Sequence, residues 1–182
     1  MTVRRVAPSA EPMPLAAPGS VYNAWVVGDE RETIVIDAPH DAESILSAVA
    51  GRRVLAVLCT HAAGVRAAPD LAERTGAPIW VHPEASAGWY RAHPVRDWDC
   101  DLALGQEFSV GAVTLEVISD PTPRSPGVVL YSPTLGCVFT GALTGVDAES
   151  AWEELSALPP ETVIHPGHGP DSVLVEHLSS RT

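Results

Sequence analysis

Short apolar runs bounded by turn residues alternate with helical patterns along this chain, and that alternation limits its fold more than any other feature. Residues 21–28 and 33–37 are two such runs separated by Asp29-Glu30-Arg31-Glu32, a pattern that predicts a β-hairpin. Residues 41–50 follow, with Ile45, Leu46 and Val49 at helical spacing, Asp41 as N-cap and Gly51 as the stop. Residues 54–59 are continuously apolar, as in a strand buried on both faces. Residues 67–75 read as a helix ended by Gly76, and residues 78–82 as the next strand. The order strand, strand, helix, strand, helix, strand argues for an α/β sheet with helices packed on it.

The second half repeats the theme. Residues 107–118 form a strand pair turning at Gly111, and residues 127–132 and 136–140 form a hairpin around Pro133-Thr134. A helix over 148–158 ends at Pro159-Pro160, a short strand covers 162–165, and a last helix covers 172–179 with Asp171 or Ser172 as cap. Two sheets packed face to face with helices outside accommodate both halves. Pro8, Pro12, Pro14 and Pro18 prevent a helix in residues 1–20, which read as an extended lead-in. Residues 21–182 then form a single domain, as the length of 182 residues suggests. Residues 83–103 read as irregular. Their Trp89, Tyr90 and Trp98 serve either as a lid or pocket wall that binds substrate, or simply as a cover for the sheet.

Charge narrows the partners. With 23 acidic and 11 basic residues the formal charge is −12, which argues against nucleic-acid binding. All 11 basic residues are Arg, a bias that codon usage explains for the chain as a whole. No run approaches the roughly 18 apolar residues of a membrane span, so no membrane association is expected. Arg4 and Arg5 lead into a broken, Pro-rich stretch, so no signal peptide is expected. Cys59, Cys100 and Cys137 are widely spaced with no C-x-x-C, and read as reduced thiols of a cytoplasmic protein. The sequence leaves the oligomeric state open, although the Pro-rich start can exchange between subunits of a homo-oligomer.

Three loops that follow buried strands hold the chemistry-bearing residues: 59–66, 119–127 and 165–169. Val35-Ile36-Asp37, Thr60-His61, Ser125-Pro126-Gly127 with the strand after it, Phe139-Thr140-Gly141 and Pro166-Gly167-His168-Gly169 occur in that order. Together they resemble the landmarks of the metallo-β-lactamase superfamily, and of its small glyoxalase-II-like hydrolases in particular. The resemblance covers nearly the whole chain and implies an α/β fold, a four-layer αββα sandwich.

It also implies a degenerate metal site. In the T-H-x-H-x-D-H loop the first His is kept as His61, but the second falls on Ala63, the Asp on Val65 and the third His on Arg66. The ligand His of T-P-G-H-S/T-P-G falls on Arg124, and the bridging Asp of F-S/T-G-D on Ala142. His61 and His168 survive, at positions that the resemblance assigns to different metals. A guanidinium is permanently charged and has no lone pair for a metal. No bound zinc or iron, and no other cofactor, is therefore expected.

What replaces the metal is a set of candidates. His61, His168, Arg66 and Arg124 form a positive catalytic pocket if they converge, with a His as general base and the Arg residues as anion or oxyanion binders. Asp37, His40 and Asp120 border it as substrate-binding candidates with Trp89, Tyr90 and Trp98. The plainer readings stand beside these. His168 hydrogen-bonds its own loop, Arg66 pairs with Asp70, Asp41 is an N-cap, and Asp37 or Asp120 neutralises the arginines. Three functions stay open. The first is a metal-independent enzyme of specialised metabolism acting on a small anionic or carbonyl-bearing ligand, as a cyclase, lyase, isomerase or hydrolase. The second is a non-catalytic pseudoenzyme that binds such a ligand or a protein. The third is a metal-dependent hydrolase with a site rebuilt around residues such as Asp120.

Overall fold

The computed structural model describes residues 1–6, 22–39, 41–118, 127–143 and 149–179. Its strands form two six-stranded sheets. The first runs β1 (Thr2–Val6), β2 (Ala24–Gly28), β3 (Glu32–Ile36), β4 (Arg53–Cys59), β5 (Ile79–Val81), β6 (Cys100–Asp101). β1, β2 and β3 pair antiparallel, and β3 to β6 pair parallel. The second sheet is ordered β12 (Ser172–Val173), β11 (Val163–Pro166), β10 (Cys137–Gly141), β9 (Val129–Ser132), β8 (Val113–Ile118), β7 (Glu107–Val110). Helices α1 (Ala42–Val49), α2 (Ala68–Thr75) and α3 (Ser86–Ala92) belong to the first half, and α4 (Glu149–Leu155) and α5 (Leu174–Ser179) to the second.

Period-two alternation sorts the side chains into three apolar layers. In β2, Ala24 and Val26 face the helices of the first half, while Trp25 and Val27 face the opposite sheet. β3 alternates in the same way, Val35 towards the helices and Ile34 and Ile36 between the sheets. Leu115, Leu130 and Phe139 supply the other half of the central layer, and Val129, Val138 and Ile164 pack outward on Trp152, Leu155 and Leu174. Strands buried on both faces read as unbroken apolar runs for this reason. The four layers are helices, sheet, sheet, helices, the αββα sandwich expected from the sequence.

Three segments differ from the sequence reading. Thr2–Val6, read as part of an extended lead-in, pairs antiparallel with β2 as the edge of the first sheet. Residues 83–103 are largely regular: a 3-10 turn at Pro83–Ala85 leads into α3, and β6 joins the sheet. Gly88 hid this helix from propensity, and tertiary contact explains it, since a Cβ there would collide with the Ala62 side chain. The last helix starts at Leu174 instead of 172, because Ser172 and Val173 pair antiparallel with β11. Asp171 turns towards His165 instead of capping that helix. Asp41 does cap α1, its carboxylate accepting the Ser44 N–H at 2.9 Å. Among the described residues no helix is long and apolar enough to cross a membrane.

Candidate functional site

The ends of β3, β4, β10 and β11 meet at one edge of the sandwich, and backbone hydrogen bonds tie their loops together. The Asp37 N–H donates to the Leu58 carbonyl at 2.8 Å, and Val128 N–H to the Thr60 carbonyl at 2.8 Å. Gly167 N–H donates to Gly141 at 2.7 Å, and Asn23 N–H to Gly167 at 2.7 Å. The Asn23 amide donates further to the carbonyls of Pro166 and Gly169. Tyr22, one residue earlier, forms a backbone bridge with His168.

Asp37, Thr60 and His61 lie at the centre of this edge, all buried. The Asp37 carboxylate accepts the Thr60 backbone N–H at 2.7 Å and the Thr60 hydroxyl at 2.6 Å. Thr60 Oγ1 lies 2.8 Å from His61 Nδ1, which is itself 3.4 Å from Asp37 Oδ2. His61 Nε2 is buried and has no hydrogen-bond partner among the described residues. An unpaired buried polar atom costs about 1–3 kcal/mol and calls for an explanation. Trp25 Nε1, Trp80 Nε1, Thr162 Oγ1 and His165 Nδ1 share the condition, and His61 Nε2 stands out from them by lying beside the Asp37–Thr60 pair at the strand ends. Gly64 lets the turn over Ala62–Val65 close on this cluster, because a Cβ there would run into the Asp37 carboxylate.

Of the other sequence candidates, His168 is brought to the same place and Arg66 is not tied to it. The ring of Tyr22 stands 6.0 Å from that of His61 and 6.5 Å from that of His168, and His168 is exposed. Arg66 is exposed at the end of the 62–65 turn and, among the described residues, has neither a hydrogen bond nor an ion pair, so the expected alternative of pairing with Asp70 is not realised. Trp89 is fully buried, its Nε1–H donating to the Arg96 carbonyl at 2.6 Å. Trp98 packs against it edge-on at 6.0 Å, and the more exposed Tyr90 donates its hydroxyl to Asp97. These rings seat α3 on the sheet, and α3 backs the 62–65 turn through the Gly88–Ala62 contact. His40, Asp120 and Arg124 lie outside the described residues.

Sequence reasoning missed Tyr22 and undervalued Thr60, whose signal was a hydroxyl directly between a buried apolar strand and a His. It also missed His165, buried between Trp25 at 4.4 Å and Phe139 at 5.1 Å, with Nδ1 3.3 Å from Asp171. Burial pulls the His165 pKa below the ordinary value and Arg5 reinforces this, while Asp171 opposes it.

A family model for the metallo-beta-lactamase superfamily matches residues 17–168. The chain belongs to the metallo-beta-lactamase superfamily. Hydroxyacylglutathione hydrolases from Fuscovulum blasticum and Cereibacter sphaeroides are similar to it. The first is 32 % identical over 152 residues, covering 75 % of this chain and 57 % of the relative. The second is 34 % identical over 156 residues with the same coverage. The chain thus spans 57 % of the length of these curated relatives. Among solved structures, TTHA1623 in a di-iron-bound form superposes with TM-score 0.75 at 26 % identity, covering 94 % of this chain and 98 % of that one. The BLEG-1 B3 metallo-beta-lactamase shares the fold with TM-score 0.77 at 19 % identity, covering 98 % and 97 %.

A di-iron relative raises the question of whether this chain's own residues fit a metal centre. Among the described residues no three His, Cys, Asp or Glu side chains gather as a metal site. His61 Nε2 is one prepared donor. Ala63, Val65 and Ala142 carry no donor, and Arg66 carries a fixed positive charge that repels a dication. His61 and His168 alone fall short of the three or four ligands of a metal site. The described donor set does not fit a metal centre.

Proposed function

We propose that this protein is a metal-independent enzyme on a hydrolase fold, with His61 as its general base. The buried His61 imidazole, braced by Asp37 and Thr60 and unpartnered at Nε2, is the observation that carries this reading. A base so placed takes a proton from water or from a carbon beside a carbonyl. Arg66, Arg124 and His168, the sequence candidates for anion binding, are the groups assigned in this reading to the oxyanion that develops. A well-placed donor of this kind contributes about 3 kcal/mol to the barrier reduction. Cationic side chains within a protein of charge −12 also concentrate anionic substrate at the site. The substrate class is a small molecule carrying a carboxylate, thioester or enolisable carbonyl, in a specialised pathway. His40 and Asp120 remain sequence candidates for substrate contact in this reading, and Trp89, Tyr90 and Trp98 support the site by seating α3.

The relatives' name makes acylglutathione thioesters the first substrates to try, followed by enolisable carboxylates. The purified protein is expected to hold well under one equivalent of zinc or iron, and its turnover to survive chelation. His61→Gln is expected to lower turnover by about a hundredfold or more with the fold intact. Stoichiometric metal, or turnover lost on chelation, overturns this reading.

The burial of Nε2 favours a second reading, a protein that binds such a ligand without turning it over, because substrate must first open the cover of His61. Ligand that binds and is returned unchanged, with His61→Gln affecting affinity alone, decides for this second reading.

A further inference from the structure

Protons in the Asp37–Thr60–His61 cluster have one consistent arrangement. A carboxylate offers acceptors only. Asp37 Oδ1 takes the Thr60 backbone N–H at 2.7 Å, and Oδ2 takes the Thr60 hydroxyl proton at 2.6 Å. That contact consumes the hydroxyl's single proton. Thr60 Oγ1 then presents lone pairs alone to His61 Nδ1, 2.8 Å away. Two lone pairs at that distance repel, so Nδ1 carries the hydrogen and donates it. The second contact of Nδ1, 3.4 Å from Asp37 Oδ2, favours the same placement. A neutral imidazole has one N–H, so Nε2 is left with its lone pair, on an atom that is buried and unpartnered.

We infer that Asp37 and Thr60 are positioning residues that lock His61 in the Nδ1–H tautomer and keep the Nε2 lone pair available. The use of that lone pair as a base rests on the function proposed above; the tautomer itself does not. The surrounding backbone is shaped to the same end. Gly141 adopts φ 54°, and a Cβ there would come 2.5 Å from Thr60 Oγ1 and 3.1 Å from His61 Nδ1. Asp37 adopts φ 60°, in the left-handed region that Asp and Asn tolerate best among residues with a side chain.

That last property makes Asp37→Asn a clean probe. The Thr60 backbone N–H still needs an acceptor, so the new amide oxygen takes the place of Oδ1. The amide NH2 then faces Thr60 Oγ1 and donates to it. The Thr60 hydroxyl turns its own proton to His61 Nδ1, and the ring hydrogen moves to Nε2. One isosteric change therefore inverts the tautomer.

The experiment is a long-range 1H–15N correlation of the full chain labelled with 15N-histidine, at a pH above the ordinary histidine range. His61 is assigned by the loss of its signals in His61→Gln. The wild type is expected to show a pyrrole-like Nδ1 and a pyridine-like Nε2, Thr60→Ser the same pattern, and Asp37→Asn the reverse. An Nε2–H tautomer in the wild type, or an unchanged pattern in a folded Asp37→Asn, overturns the inference. Should Asp37→Asn fail to fold, Thr60→Val replaces it. With the 3.4 Å contact to Asp37 alone remaining, its His61 is expected to gain Nε2–H form relative to the wild type, and an unchanged tautomer ratio overturns the assignment of Thr60 to the lock. An Nδ1–H wild type that turns over none of the substrates tested separates the outcomes: the enzyme reading falls and the tautomer lock stands.

Discussion

Burial sorts the reactive side chains of this protein more sharply than their type does. Cys59 ends β4 in full burial, and its thiol is pushed well above the ordinary value by desolvation and then by the nearby Asp37 charge. Cys137 is pushed up to about 12, again by burial first and Asp171 second. Cys100 is only half-buried. Reactivity follows the thiolate and its access. Iodoacetamide is therefore expected to label Cys100 alone in the native protein and all three cysteines after unfolding, as read by mass spectrometry. Native labelling of Cys59 at the rate of Cys100 contradicts this account. Asp37 shows what a residue-by-residue reading sees and what it does not. Its place at the end of a buried strand was legible, as was its nearness to the site. Its role was not. The sequence offered a substrate contact or a partner for arginine, and the contact it did not offer is the one the folded chain makes, from the Asp37 carboxylate to Thr60, 23 residues away.

At the scale of elements, the N-terminal strand and the C-terminal half are stitched together at the site edge. Arg5 on β1 donates to the Gly169 carbonyl at 3.2 Å and lies 3.8 Å from Asp171. Asp171 in turn faces His165 on β11, which is packed on Trp25 of β2 and Phe139 of β10. The folded state thus holds His165 in its neutral form, with burial as the larger cause. The unfolded chain takes up this proton near pH 6.5, before the folded one does. The His165 contribution to stability is accordingly full above that value and is lost as the pH falls below it. Urea midpoints are expected to drop between pH 7.5 and pH 5.5, and His165→Gln to flatten that dependence. An identical slope in the variant excludes His165 as its source. None of this connectivity was legible locally. β1 lies in a segment whose later prolines led it to be read as a lead-in, and Ser172-Val173 looks like the start of a helix until β11 is beside it.

The whole molecule is held by the layer between its two sheets. Phe139, 1 % exposed, sits in that layer against Trp25 at 5.8 Å and is reached by residues of both sheets. Phe139→Ala is expected to cost about 3–5 kcal/mol, read by urea denaturation. A loss under about 1 kcal/mol contradicts the packing described. The sequence by itself determined the layers: the run lengths, the two-sided apolar strands and the glycine and proline stops specify two sheets and their helices through local periodicity. It also determined that Ala63, Val65 and Ala142, where the resemblance places ligand side chains, offer no side-chain donor in any conformation. Only the tertiary structure decided what the remaining residues do. Hydrogen-bond roles depend on which atoms meet, and Asp37, Thr60, His61 and Tyr22 meet only once β2, β3 and β4 are side by side in one sheet.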